Sequence, residues 1–228
     1  MLNEIEDFIT KNINNFKFWD FDYAEELAAK FGLEILSTRG TTRSVYKQKH
    51  SRKVIKVGIP NFNITEKSVW EALKNTPLQN TLAECFDIST KGYVLEQRFI
   101  PKRFPYSNGI KYQVMKDWGK IRDLLGELFV FVNPKKTGYD IDIHEENIRL
   151  DSKGNVVIID YSTVGYDYFG STGSVEKLTN KIRKKKVPFK EVDIKFKSPV
   201  LSLNIDGQCH SIDINTEQYW VSQNIIAG

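Results

Sequence analysis

Apolar residues recur along this chain with two different periods, and the change of period marks its parts. Leu2, Ile5 and Ile9 keep a helical stripe, and Asp22 with Glu25 has the form of a capping box opening a helix from Tyr23 to Phe31. Residues 1–33 therefore read as a helical extension. From Glu34 to Gly58 the pattern shortens. Ile35-Leu36, Ser44-Val-Tyr-Lys and the alternating Lys53-Val-Ile-Lys-Val57 are separated by polar turns, which predicts three antiparallel strands. A helix follows over about Ile64 to Lys74, stopped by Thr76-Pro77, with Glu66, Trp70 and Leu73 on one face and Glu71 turned elsewhere. Strands are expected near Cys85 to Ile88 and Tyr93 to Phe99. Pro101 and Pro105 mark a connector.

The second half opens on a longer stripe. Val114, Trp118, Ile121, Leu125, Leu128 and Val132 form one apolar face, ended by Asn133-Pro134. Ile148 to Leu150, the turn Asp-Ser-Lys-Gly-Asn and the apolar Val156 to Ile159 read as a hairpin. Beyond a glycine-rich stretch, Ser174 caps a short helix ending in the basic run Lys181 to Lys186. That run reads as a solvated helix end favoured by the macrodipole, with docking of an acidic partner or nucleic acid as the other reading. Leu201, Leu203 and Ile205 alternate before Asp206-Gly207, and His210, Ile212 and Ile214 alternate after it. A two-residue turn would pair Leu203 with His210 and Leu201 with Ile212.

Composition narrows the class. The chain is 40% hydrophobic and 12% aromatic, as in an ordinary globular protein. Its net charge of +4 is too mild to imply nucleic acid. Cys85 and Cys209 make no disulfide framework, and no Cys/His spacing suggests zinc. No apolar run reaches the roughly 18 residues that a membrane span needs. The acidic, Asn-rich start is unlike a signal peptide, so a protein of the cytoplasm without a membrane partner is expected.

Candidate chemistry concentrates between Asp142 and Asp160. Asp142 and Asn147 sit in a short irregular loop, and the hairpin that follows returns Asp160 beside Asn147. An amide and a carboxylate oxygen suit Mg²⁺, which takes one or two protein ligands and completes its shell with phosphate oxygens and water. Asp142 is left to orient a hydroxyl and accept its proton.

These residues together resemble the protein-kinase-like superfamily, most closely the early Ser/Thr kinases of T-odd (podovirus-type) phages. Val54-Ile-Lys56-Val-Gly58 is similar to the kinase strand lysine, Asp142-Ile-His144-Glu-Glu-Asn147-Ile148 to the catalytic loop, and Asp160-Tyr-Ser to the Asp-Phe-Gly segment. The resemblance implies an α+β, two-lobed kinase-like fold. A small antiparallel-sheet lobe would occupy 34–100 and a shortened second lobe 101–186, with a β-rich element ending in the hairpin over 187–228. It implies ATP and Mg²⁺ as cofactors and protein substrates, host proteins among them if the chain is phage-encoded. Lys56 paired with Glu66 would hold the α- and β-phosphates, Asp142 would be the base, and Asn147 and Asp160 the metal ligands. His144 would be a phosphate contact or a structural histidine. Gly40 and Val45 would cover the nucleotide, Leu95 would be the gatekeeper, and Glu96-Gln-Arg98 the hinge whose backbone meets adenine.

Departures from the family pattern are specific. Of the glycine-rich loop only Gly40 remains, with Thr38 and Arg43 at the other glycine positions. Arg39 or Arg43 would supply charge in place of backbone cradling. Asp140-Ile141 replaces the family's His-Arg, and no Ala-Pro-Glu follows. The resemblance also extends to aminoglycoside phosphotransferases, which share the loop histidine. A small-molecule kinase and a non-catalytic kinase fold that binds a host protein are thus the alternatives. Ser162, Thr163, Ser171 and Thr172 are the candidate autophosphorylation sites.

Overall fold

The computed structural model describes residues 1–12, 20–38, 40, 42–105, 113–135 (backbone alone over 113–117), 142–165 and 173–214. The fold is α+β. It divides into two compact units: Met1–Ala72 with Ala83–Phe99 and Gly165–Lys184, and Leu73–Leu82 with Ile100–Val164 and Lys185–Gly228. The chain thus changes unit at Phe99–Ile100, beside Pro101, and the stretch 165–184 groups with the first unit rather than with the residues before it. Arg39, Asp140, Ile141, Ser171 and Thr172, singled out in the sequence, lie outside the described residues.

In the first unit, helices α1 (Leu2–Lys11) and α2 (Phe21–Phe31) precede strands β1 (Leu33–Ser37), β2 (Arg43–Gln48) and β3 (Lys53–Gly58). Helix α3 (Pro60–Leu73) leads to β4 (Cys85–Ile88) and β5 (Val94–Arg98). The sheet is antiparallel in the order β1-β2-β3-β5-β4. Strand alternation sends Ile55 and Val57 of β3 into a core shared with Ile5, Ile9 and Leu27. The two N-terminal helices are therefore built into this unit's core.

Two acidic side chains fix those helices. Asp20, not Asp22, is the N-cap of α2, and its Oδ1 accepts from the N–H groups of Asp22 at 3.1 Å and Tyr23 at 3.4 Å. The Asp-Phe-Asp-Tyr sequence offers two capping registers, and packing selects the earlier one. Glu6 is 3% exposed and accepts from Ser89 Oγ at 2.6 Å, from the N–H of Lys91 at 2.9 Å and from the N–H of Tyr93 at 3.3 Å. It closes the β4–β5 turn from the buried face of α1.

Helix α5 (Val175–Arg183) starts at Ser174, whose Oγ accepts from the N–H of Lys177, as the sequence predicts. It packs on α3. Ser68 Oγ donates to Val175 O at 3.1 Å, and Arg183 donates to Glu71 O at 2.8 Å. Lys181, Lys184, Lys185 and Lys186 are exposed.

In the second unit, β6 (Lys102–Arg103), β7 (Ile148–Leu150) and β8 (Val156–Ile158) form one antiparallel sheet. Strands β9 (Val192–Lys197), β10 (Val200–Ile205) and β11 (Gln208–Asp213) form another. Asp206 and Gly207 turn with φ of 50° and 85°, and Leu203 faces His210 while Leu201 faces Ile212, the register read from the sequence. Helix α4 (Gln113–Glu127) buries Ile121 and Leu125. The apolar stripe continues to Leu128 and Val132, but the helix stops after Gly126-Glu127 and the chain tightens into turns, with the Val132 N–H donating to Phe129 O at 2.9 Å. Phe104 is buried between Trp118 and Phe196, at 6.5 and 5.0 Å between ring centroids. Among the described residues, no helix is long and apolar enough to cross a membrane.

Candidate functional site

Site residues occur in both units, and each group is built by its own local structure. In the first unit, β3 carries Lys56 in the middle of the sheet, directly opposite Val45 on β2 and Leu95 on β5. Residues directly opposite share a face, so this row of three lies on the side of the sheet away from Ile55 and Val57. Lys56 is 4% exposed and Glu66 of α3 fully buried. Lys56 Nζ lies 2.9 Å from Glu66 Oε1 and 3.1 Å from Oε2, the contact expected from the sequence. Glu71 pairs with Lys67 at 3.0 Å instead.

Glu66 has further partners that sequence reasoning missed. Arg43 NH1 donates to Glu66 Oε2, and Gln97 Nε2 donates to Oε1 at 3.0 Å. Arg43 also reaches Asn63 Oδ1 at 3.4 Å, while Asn63 Nδ2 donates to the carbonyls of Gly92 and Tyr93 at 2.9 and 3.0 Å. Two buried cations thus share one buried carboxylate. The role expected of Arg43, a loop charge facing phosphates, is corrected here: its guanidinium is 4% exposed and committed to α3. The signal lay in the register. Arg43 faces Gly58, two residues along β3 from Lys56, so both cations lie on one face.

Glycines make this packing possible. A Cβ on Gly58 would run into Thr42 O and lie 2.8 Å from Arg43 Cα, and one on Gly40 would lie 2.5 Å from Arg43 O. Gly40 is exposed in the turn before β2 and serves there to let the backbone close on Arg43.

The hinge expectation is also corrected. Glu96 is paired with Ile55 on one side and Asp87 on the other, Gln97 with Val54 and Cys85, and Arg98 with Lys53. These residues form the inside of a ladder, so their backbone is not a free edge for a base. Gln97 is polar yet only 1% exposed, and its amide donates to Glu66. Glu96 turns to the other face and pairs with Lys53 at 2.8 Å, and Arg98 is exposed.

The second unit holds the loop chemistry. A 3-10 turn over Glu145–Asn147 is capped by His144, whose Nδ1 accepts from the Glu146 N–H at 3.3 Å. The other ring nitrogen, Nε2, lies 3.7 Å from Asp142 Oδ1 and 3.0 Å from Asn147 Nδ2. Asn147 Nδ2 donates to Asp142 O at 2.9 Å. His144 is thus a local organiser of Asp142 and Asn147. The Ile159 N–H donates to Asn147 O at 2.8 Å, which brings the backbone just before Asp160 against Asn147.

Asp160 Oδ1 accepts from Ser162 Oγ at 2.9 Å and from the Ser162 N–H at 3.4 Å. Ser162 is buried and Thr163 Oγ1 accepts from the Asp142 N–H at 3.2 Å, so both hydroxyls serve the loop instead of standing out as phosphorylation sites. Tyr161 is fully buried, while Asp142 is exposed.

Among the described residues, no group of three or more His, Cys, Asp or Glu side chains makes a ready-built metal centre. Asn147 and Asp160 are hard oxygen donors brought close through the backbone, and they fit a cation that takes its remaining ligands from phosphate and water. Comparison with protein-family models gave no match. Comparison with curated proteins gave none either.

Proposed function

We propose that the protein is an ATP- and Mg²⁺-dependent phosphotransferase of two-lobed, protein-kinase-like architecture, acting on Ser/Thr hydroxyls of proteins. The observation that carries this reading is the loop around Asn147. The Asn147 side-chain amide donates to Asp142 O, and the Asn147 backbone carbonyl accepts from the N–H of Ile159, the residue before Asp160. Base candidate and metal-ligand candidates are thereby fixed to each other by hydrogen bonds a few residues long. The buried Lys56–Glu66 pair supports the same reading, because a positioned ammonium is what triphosphate binding requires.

In this mechanism Asp142 accepts a hydrogen bond from the acceptor hydroxyl and aims it at the γ-phosphorus. The new O–P bond forms as the bond to the bridging oxygen of the β-phosphate breaks, and the hydroxyl proton passes to the Asp142 carboxylate. Lys56 holds the α- and β-phosphates, and Glu66 holds Lys56. Asn147 and Asp160 would hold Mg²⁺, which neutralises charge on the departing ADP. His144 fixes the loop. Proteins would be the acceptors, host proteins among them if the chain is phage-encoded.

Incubation of the purified protein with γ-labelled ATP, Mg²⁺ and a cell lysate tests the reading, beside the double variant Lys56→Met/Asp160→Ala. Label on protein Ser or Thr with the parent alone supports it. Equal label with the double variant refutes it, and label on metabolites alone moves the acceptor to the small-molecule class.

A further inference from the structure

A second concentration of positive charge lies in the sheet that follows the loop. The β6–β7 register sets Arg103 directly opposite Arg149, two residues beyond Asn147. Their side chains share a face, and like charges in directly opposed ladder positions repel. Arg149 is half-buried. Among the described residues no carboxylate lies within ion-pair distance of either guanidinium. Among the described residues, the one side-chain hydrogen bond of Arg149 goes to its neighbour's carbonyl, Ile148 O, at 3.0 Å.

The surroundings hold this arrangement rigid. Strand β7 is paired on both sides, to β6 and to β8, so the backbone under Arg149 cannot relax away. On the β8 side Arg149 faces Val157, which is 4% exposed. An apolar neighbour lowers the local dielectric, which sharpens the repulsion and would strengthen any bound counter-charge. Two solvated, stacked guanidiniums are the plain alternative, but solvation would place both in open water and Arg149 is not there.

We propose that Arg103 and Arg149 form an oxyanion site that takes a phosphate or carboxylate group. Each guanidinium presents a planar fork of donors that matches two oxygens of such a group. The oxyanion comes from one of two sources, a free nucleotide or an acidic or phosphorylated side chain of an acceptor protein. The site stands on these two arginines and does not require the phosphoryl-transfer reading.

Thermal unfolding of the full chain with pyrophosphate, against KCl at equal ionic strength and without Mg²⁺, provides the test. A Lys56→Met background removes the phosphate contact proposed at Lys56. Saturating pyrophosphate is expected to raise Tm by roughly 3 °C, and adding Arg149→Gln or Arg103→Gln is expected to abolish the rise. Without ligand, Arg149→Gln should melt no lower than its background, because repulsion is relieved. Arg149→Lys, which keeps charge but loses the fork, should keep less than half the rise. ADP and a phosphoserine peptide, titrated separately, identify the source by which affinity falls about tenfold in Arg149→Gln. An unchanged pyrophosphate rise in both glutamine variants would overturn the proposal, and would leave the phosphotransferase reading standing.

Discussion

Glu66 and Arg43 are joined inside the first unit, and the carboxylate that holds Arg43 is the same one that holds Lys56 at 2.9 Å. Glu66 is therefore the hub of a buried ionic group. Glu66→Gln should leave two buried cations facing a neutral amide and destabilise the protein by about 3–5 kcal/mol. Lys56→Met leaves Glu66 still bound by Arg43 and Gln97, so its loss in urea unfolding should be clearly smaller. Its transfer rate should nonetheless fall on the order of 10²–10³-fold. Equal stability losses for the two variants would show that Arg43 does not hold the carboxylate.

The close backbone approach at Gly58 has its own consequence. Gly58→Ala drives a methyl group into Thr42 O, a main-chain atom that cannot swing aside. A loss of about 1–3 kcal/mol is expected. A neutral result in chemical unfolding would mean that the β1–β2 turn is free to move.

Much of this was legible in the sequence, for a common reason. Lys56 and Glu66, the β10–β11 register and the Ser174 cap follow from alternation, helical spacing and turn chemistry, which are local. What escaped was set by partners far along the chain. Glu6 is held by Ser89 and Tyr93, 83 and 87 positions away. Gln97 reads as a hinge until Glu66 claims its amide. Arg103 and Arg149 become a pair only when β6 and β7 align.

Glu6 gives a direct check on the N-terminal helices. Glu6→Ala removes the acceptor for Ser89 Oγ and two backbone N–H groups, and should cost about 1–3 kcal/mol. Removal of residues 1–12 should be worse, since it also uncovers the sheet face under Ile5 and Ile9, and should show as aggregation on purification. A truncated chain that stays monomeric with an unchanged Tm would contradict the packing described.

Alkaline pH should act on the same core. Burial pushes the Tyr46 phenol up from 10.0 to about 12, and burial does the same for Tyr23, which also reaches about 12. A raised pKa means that the folded state favours the neutral phenol. The resulting stability is complete below pH 10 and is lost as pH climbs from 10 towards 12. Tyr46→Phe should flatten that fall in a urea titration across this range. An identical slope in parent and variant would mean that the phenol ionises without disturbing the core.

A phosphotransferase of this kind must bring a nucleotide and a metal to Asp160 together. Calorimetric titration of ATP into the protein, with and without Mg²⁺, measures this in the parent and in Asp160→Ala. The prediction is ATP binding that tightens at least tenfold with Mg²⁺ in the parent, with that metal dependence gone in the variant. Absence of ATP binding in the parent, or the same Mg²⁺ dependence in both proteins, would contradict it.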